Sequence, residues 1–204
     1  MKTKQRILLC TLELASEVGL GNVSLQKIAD RVGVRKATLF SHYKTKDEIV
    51  EALYKYLREQ AAQSRETPTF DYSAFLEGKT ANQVLEVIVA GYKKMNADKD
   101  MAAFYRFIYA ERIFNPIAAK IMIDETETML NRTNELFSAM QSHGILYFPH
   151  LATAATSFCL TVHELLDLER DYIANDKPDI GGQMIKKYIE GFCEEYSPSR
   201  RETE

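Results

Sequence analysis

The chain has 204 residues, 46% of them hydrophobic and 27% charged, an ordinary mixture for a soluble globular protein with room for one small and one larger domain. The net charge of −3 is unevenly divided: residues 1–50 carry nine Lys/Arg against five Asp/Glu, residues 51–204 seventeen against twenty-four. Positive potential is thus concentrated where a polyanion would be met, and the acidic remainder opposes indiscriminate coating of one.

At the N-terminus, MKTKQRILLC is basic but its apolar run is short and broken by Glu13, and no later stretch reaches transmembrane length. A cytoplasmic protein without membrane association is expected. Cys10, Cys159 and Cys193 are odd in number and far apart, so neither a disulfide framework nor a metal site is predicted. Each lies in an apolar helical pattern and is expected as a small buried hydrophobe.

The most informative segment is Ser24 to Val50, SLQKIADRVGVRKATLFSHYKTKDEIV. Ser24 is a good N-cap, because its hydroxyl can accept from a backbone N–H two or three residues on. Leu25, Ile28, Ala29 and Val32 recur at helical spacing, and Gly33 can take the left-handed conformation that ends a helix. Val34 can bury itself in the turn, and a second helix starts near Arg35 or Lys36. This is a helix-turn-helix, in which one helix braces on the DNA backbone and the next enters the major groove. With Leu39 and Phe40 turned to the core, Arg35, Lys36, Thr38, Ser41 and His42 are left for the other side. Arg and Lys can donate to guanine, Thr and Ser to several base edges, and Ala37 can touch a thymine methyl. Thr45 and Glu48 have capping-box spacing, and the helix start behind them, with Lys46, could receive a phosphate.

These residues resemble the DNA-binding domain of the TetR (tetracycline-repressor) family of bacterial transcription regulators. The likeness runs from a first helix RILLCTLELASEVG (Arg6 to Gly19) through the A-x-x-x-G-V turn to Thr38-Leu39-Phe40-Ser41-His42-Tyr43 and Lys46. It covers residues 3 to 53. By position it implies phosphate contacts from Ser24, His42, Tyr43 and Lys46, and base contacts from Arg35, Lys36, Ala37 and Ser41, with Gln26 reaching in. Phe40 departs from the usual Tyr and Ala15 from a larger aromatic.

Beyond Val50 the chain reads as helix throughout, giving an all-α fold: a three-helix helix-turn-helix domain (1–50) followed by a larger helical ligand-binding and dimerisation domain (51–204). The helix from Thr45 runs toward Gln63 and ends before Pro68, and an irregular link over 65–79 is held down by Phe70, Tyr72 and Phe75. Thr80 and Gln83 form another capping box, opening a helix with Val84, Leu85, Ile88, Val89 and Tyr92 on one face. Met101 to Phe114 is a short aromatic-rich helix. Asn115-Pro116 starts a long one that ends at His143-Gly144. Pro149 opens a helix to Ala174, and Pro178 opens the last, with Met184, Ile185, Tyr188, Ile189, Phe192 and Cys193 facing inward.

Two features bear on partners. Ala155, Phe158, Val162 and Leu166, with Ile185, Tyr188, Ile189 and Phe192, form apolar stripes suited to half of a four-helix bundle completed by a second copy. A homodimer on a palindromic double-stranded operator doubles the base contacts. The middle helices also hold more aromatics and methionines than a small core needs. A pocket for a small organic effector is expected from Tyr92, Met101, Phe104, Tyr105, Ile108 and Tyr109, joined by Met122, Glu125, Met129, Phe158 and His163. No cofactor and no catalytic residue is expected: G-x-S-x-G, phosphate-cradling glycine loops and H-E-x-x-H are missing, and the side chains of His163 and Glu164 diverge by about 100° on a helix. The reading is therefore a dimeric repressor released by its ligand. An activator, or a helical ligand-binding protein without operator release, is the alternative.

Overall fold

The computed structural model describes residues 2–65 and 70–199, and among these every regular element is helical. Helix α1 (Thr3–Val18) turns Ile7, Leu8, Leu12, Leu14 and Ala15 inward. Thr11 on the same face is fully buried, and its hydroxyl donates back to the Ile7 carbonyl at 2.7 Å. Past Gly19 the chain makes a 3-10 turn (Leu20–Asn22) and enters α2 (Leu25–Val32), where Ser24 Oγ accepts from Lys27 N at 3.2 Å. Gly33 closes α2 at φ 75°, ψ 36°, so its own N–H and that of Val34 return to the Asp30 and Ala29 carbonyls. Helix α3 (Lys36–His42) follows directly, then α4 (Lys46–Arg65). Thr45 Oγ1 accepts from Glu48 N as expected. The Glu48 carboxylate, however, accepts from Lys44 N, one residue before the usual capping-box partner.

Five further helices complete the sequence-predicted pattern and one more was not foreseen. Asp71 caps a short helix α5 (Tyr72–Leu76) inside the link expected to be irregular. Phe70 stacks edge-on against Tyr72 and Phe75 but is 55% exposed, so it is less packed down than its aromatic neighbours suggest. Pro68 lies outside the described residues. Helix α6 (Ala81–Ala97) begins with both halves of the capping box made: Gln83 N to Thr80 Oγ1, and Thr80 N to Gln83 Oε1. Asp98 caps α7 (Lys99–Glu111) through two backbone N–H groups. Asn115 Oδ1 accepts from Ile117 N at the start of α8 (Pro116–Ser142), which ends with Gly144 at φ 66°. Helices α9 (Leu151–Ala174) and α10 (Pro178–Glu195) close the chain.

These helices form two compact units. The described residues of Met1–Thr67 and Asn96–Thr126 make the first, and those of Pro68–Met95 and Glu127–Glu204 the second. Helix α7 and the start of α8 therefore belong with the helix-turn-helix, where the sequence suggested a break after residue 50. The reason is apolar. Phe104, Phe107 and Ile108 of α7, with Ala118, Ile121 and Met122 of α8, share one core with Ile7, Leu39, Ile49, Leu53 and Tyr54. The second core joins Val84, Leu85 and Val89 to Phe137 and Met140 and to the inner faces of α9 and α10.

Two expectations are corrected. Met184 is 37% exposed, because Ile185 and Ile189 take the inner face of α10 and their neighbour is rotated away by a helical step. Cys10 is half-buried, while Cys159 and Cys193 are buried; burial pushes the Cys193 thiol up to about 11, with Glu86 adding to it.

Tyr54 carries a consequence for stability. It is 1% exposed, its ring lies 5.4 Å from that of Phe107, and its hydroxyl has no partner among the described residues. Burial, then the nearby Glu111, pushes its ionisation well above the ordinary tyrosine range. Replacing Tyr54 by Phe removes a polar atom that gains nothing in the core, and should stabilise the fold by about 1 kcal/mol. A thermal melt checks this; a lower Tm for the Tyr54→Phe protein would contradict it.

Candidate nucleic-acid interface

The residues expected to meet DNA gather on one face. Arg35, just before α3, and Lys36, Ala37, Thr38 and Ser41 of α3 are all exposed, as are Ser24 and Gln26 at the start of α2. Leu39 is fully buried and Ile28, Ala29 and Val32 are buried behind it, which turns the polar side of α3 outward. Phe40 is half-buried, and Lys36 Nζ sits 5.7 Å from its ring centroid, so that lysine is partly pre-placed by a cation–π contact. Ser41 Oγ donates to the Thr38 carbonyl and Gln26 Nε2 to Asp30 Oδ1, exposed local bonds that can be exchanged for base edges at little cost. The N-termini of α2 and α4 flank α3, and each presents backbone N–H groups suited to phosphate. Ser24 keeps its hydroxyl proton available, since Oγ accepts from Lys27 N.

Three residues of the expected set are less exposed than the others. Tyr43 is only 8% exposed: its ring belongs to the first core, with Lys4 Nζ 5.7 Å from its centroid, and burial raises its hydroxyl's pKa. His42 is half-buried at the end of α3. Lys46 Nζ donates to the Leu20 carbonyl at 2.8 Å and the Val23 carbonyl at 3.1 Å.

Several supports were invisible to helical spacing because their partners are remote in sequence. Arg6 Nη2 donates to the Val32 carbonyl at 2.6 Å and satisfies the C-terminal end of α2. Arg31 pairs with both carboxylate oxygens of Glu17 and lies 3.5 Å from Glu13, while Lys99 of α7 reaches Glu13 at 3.2 Å. The Arg31 fork on Glu17 is the leading cause that lowers that carboxyl's pKa.

In the second unit a small cavity of about 30 Å³ opens between α6, α8 and α9. Four of the residues expected to hold a ligand, Tyr92, Met129, Phe158 and His163, line it together. Thr133 and Cys159 also face it, and both went unrecognised because a Thr or Cys inside an apolar stripe gives no signal of its own. Burial raises the Tyr92 and Cys159 pKa values, with Thr133 pulling Cys159 the other way. The remaining ligand candidates are not at this cavity. Met101, Phe104, Tyr105, Ile108, Tyr109 and Met122 pack in or against the first core, and Glu125 lies on the part of α8 assigned to that unit. At about 30 Å³ the space suits a single water, far below the several hundred Å³ of a small-molecule site.

Most of the stripe expected to meet a second copy is covered within the chain itself. Ala155, Phe158, Val162, Ile185, Ile189 and Phe192 are all buried within this single chain, and Leu166 and Tyr188 are half-buried against the same core. They hold α9 to α10, and Phe158 and Phe192 also meet Phe137 of α8. Among the residues that α9 and α10 show outward are Ala152, Thr153, Thr156, Leu160 and Met184.

Comparison with known proteins agrees with this architecture. Similar folds include a transcriptional regulator from Rhodococcus sp. Rha1 (18% identity, TM-score 0.63, covering 96% of this chain and 98% of the other). Salmonella enterica GusR is another (20%, 0.61, 94% and 95%). A third is a protein from Saccharomonospora viridis solved in complex with choline (18%, 0.62, 94% and 95%). At such identities these establish the fold. Residues 7–53 match the family described as bacterial regulatory proteins, tetR family, and residues 83–197 match the C-terminal domain of AefR-like transcriptional repressors. With a helix-turn-helix at one end and a match over more than half of its length at the other, the chain belongs to the TetR family of transcriptional regulators.

Proposed function

We propose that the protein is a cytoplasmic, homodimeric repressor that binds a palindromic operator and is released from it by a small organic effector. The observation that carries the DNA-binding part is the outward face of α3, where Arg35, Lys36, Thr38 and Ser41 are exposed together beside the capped start of α2. In this reading Arg35 and Lys36 take guanine edges, Ala37 a thymine methyl, and Ser24, His42 and the rim of Tyr43 the phosphates. Gln26 reaches a base edge from α2.

Pairing of two copies through the outward sides of α9 and α10 is supported by Leu160 and Met184, 47% and 37% exposed, beside the small Ala152, Thr153 and Thr156. Effector release is supported by the cavity between α6, α8 and α9, whose mixed lining offers apolar walls and hydroxyl, thiol and imidazole groups. Since it is too small for a drug-sized ligand as it stands, the effector must select a form in which these helices stand further apart. Helix α8 can carry that change along the chain: Met129, Thr133 and Leu136 border the cavity, while Ala118 and Ile121 of the same helix sit in the first core. Couplings of this kind are commonly about 1–3 kcal/mol. The choline found with the Saccharomonospora viridis protein is consistent with a fold that holds small organic molecules.

A gel shift with the DNA upstream of the protein's own gene tests the reading. The wild-type protein should retard that fragment ahead of competitor DNA. Lys36→Ala should lose about 1–3 kcal/mol of discrimination while still binding non-specifically. Equal affinity of the wild type for upstream and unrelated DNA would refute sequence-specific recognition.

A further inference from the structure

Lys46 stands where the family resemblance places a phosphate contact, yet its ammonium is already engaged. Nζ donates to the carbonyls of Leu20 and Val23, and the side chain is half-buried. Those carbonyls belong to the 3-10 turn and to the residue directly before Ser24, which caps α2. Lys46 is itself the first residue of α4. One side chain therefore ties the N-terminal ends of two helices, α2 and α4, that both offer backbone N–H groups to phosphate.

The other bonds of the turn are local. Lys27 Nζ takes the Asn22 carbonyl from within α2, and Asn22 Nδ2 returns to the Val18 carbonyl within α1. The tie from α4 is of another kind, since it spans 26 residues to Leu20 and 23 to Val23. An ammonium has three N–H donors, and two are committed here. Moving them to a phosphate would take the lysine donor from the Val23 carbonyl and leave the Leu20 carbonyl only the Val23 N–H, beside an incoming anion.

We infer that Lys46 is a positioning residue for DNA binding, setting the spacing between the starts of α2 and α4 instead of neutralising a phosphate. The inference rests on the DNA-binding reading above. Without the tie, Ser24 and the turn before it must be ordered when DNA arrives, and that entropy is charged to every sequence alike. A lysine that neutralises a phosphate has another signature: its loss makes the dependence of log K on log salt shallower by about 0.9.

The test compares wild type with Lys46→Met, which keeps the hydrocarbon stem and removes the donors. Sonicated genomic DNA and the upstream fragment serve as probes over a salt series, with circular dichroism confirming that both proteins are folded. The expected result is an affinity lower by about tenfold on both probes with the slope changed by less than about 0.3. Amide hydrogen exchange in the free variant should be faster at Leu20 to Lys27. A slope shallower by about 0.9, or an unchanged affinity, overturns the inference. Should Lys46→Met not fold, the wild-type lysine ammonium resonance decides. Bonded to carbonyls, it is seen in the free protein and stays in place when DNA is added; as a phosphate contact it sharpens or shifts only with DNA. A wild-type protein that retards neither probe refutes the DNA reading itself, a failure visible before any variant is made.

Discussion

Replacing Phe137 by alanine is expected to destabilise the protein by about 3–5 kcal/mol, the range for truncating a buried phenylalanine. Phe137 is fully buried near the C-terminal end of α8, and the following loop, α9 and α10 all meet on its ring. Phe148 stacks on it at 4.6 Å with the planes 5° apart, Phe158 of α9 lies at 5.4 Å, and Phe192 of α10 at 5.5 Å. Removing it opens a void between rings that touch one another as well, so the site cannot collapse around one neighbour without straining the next. For a chain of this length the Tm should fall by roughly 8–15 °C, read by calorimetry. A fall of under about 3 °C would mean that this cluster relaxes far more freely than its geometry suggests. Phe137→Leu, which keeps much of the volume, should recover most of the loss.

The second large effect is expected at a residue with no side chain. Gly181 is buried in α10, and a Cβ there would lie 2.6 Å from the Cβ and 2.8 Å from the Cγ of Glu169, closer still to its Cα. Backbone of α9 cannot step aside, and Glu169 is held at its other end by Lys93 at 2.7 Å. Alanine ordinarily favours a helix over glycine by about 1 kcal/mol. At Gly181 the overlap should outweigh that gain and give a net loss of about 1–3 kcal/mol or more. Gly191 on the same helix has nothing within 4 Å of its would-be Cβ. Gly191→Ala should therefore stabilise, and opposite signs for the two substitutions in urea titrations are the expected result. Stabilisation by both would show that α9 and α10 do not approach as closely as described.

The elements most legible in the sequence were those whose ends are made locally. Ser24, Gly33, Thr45, the Thr80–Gln83 pair and Asn115-Pro116 each begin or end a helix where their chemistry predicts, because a cap needs partners only two to four residues away. The polar face of α3 was legible for the same reason: Leu39 at the core fixes which way Lys36, Thr38 and Ser41 point. The caps at Asp71 and Asp98 follow the same rule and went unread, one in a link taken as irregular, the other three residues ahead of the apolar run.

What the sequence determined by itself is an all-helical chain with a reading head of three helices near its N-terminus, since helical period, caps and a left-handed glycine are properties of neighbouring residues. What only the tertiary structure decided is which surface each apolar face meets. The α7 aromatics could have lined a pocket and instead fill the core behind α1 and α4. The α9–α10 stripe is covered within its own chain, each helix packing on the other and on Phe137 of α8. Lys46 could have pointed at phosphate and instead grips the turn before Ser24. A period of 3.6 residues says that a face is covered. What covers it is a matter of contacts between residues far apart in the chain, and those exist only once the helices are packed.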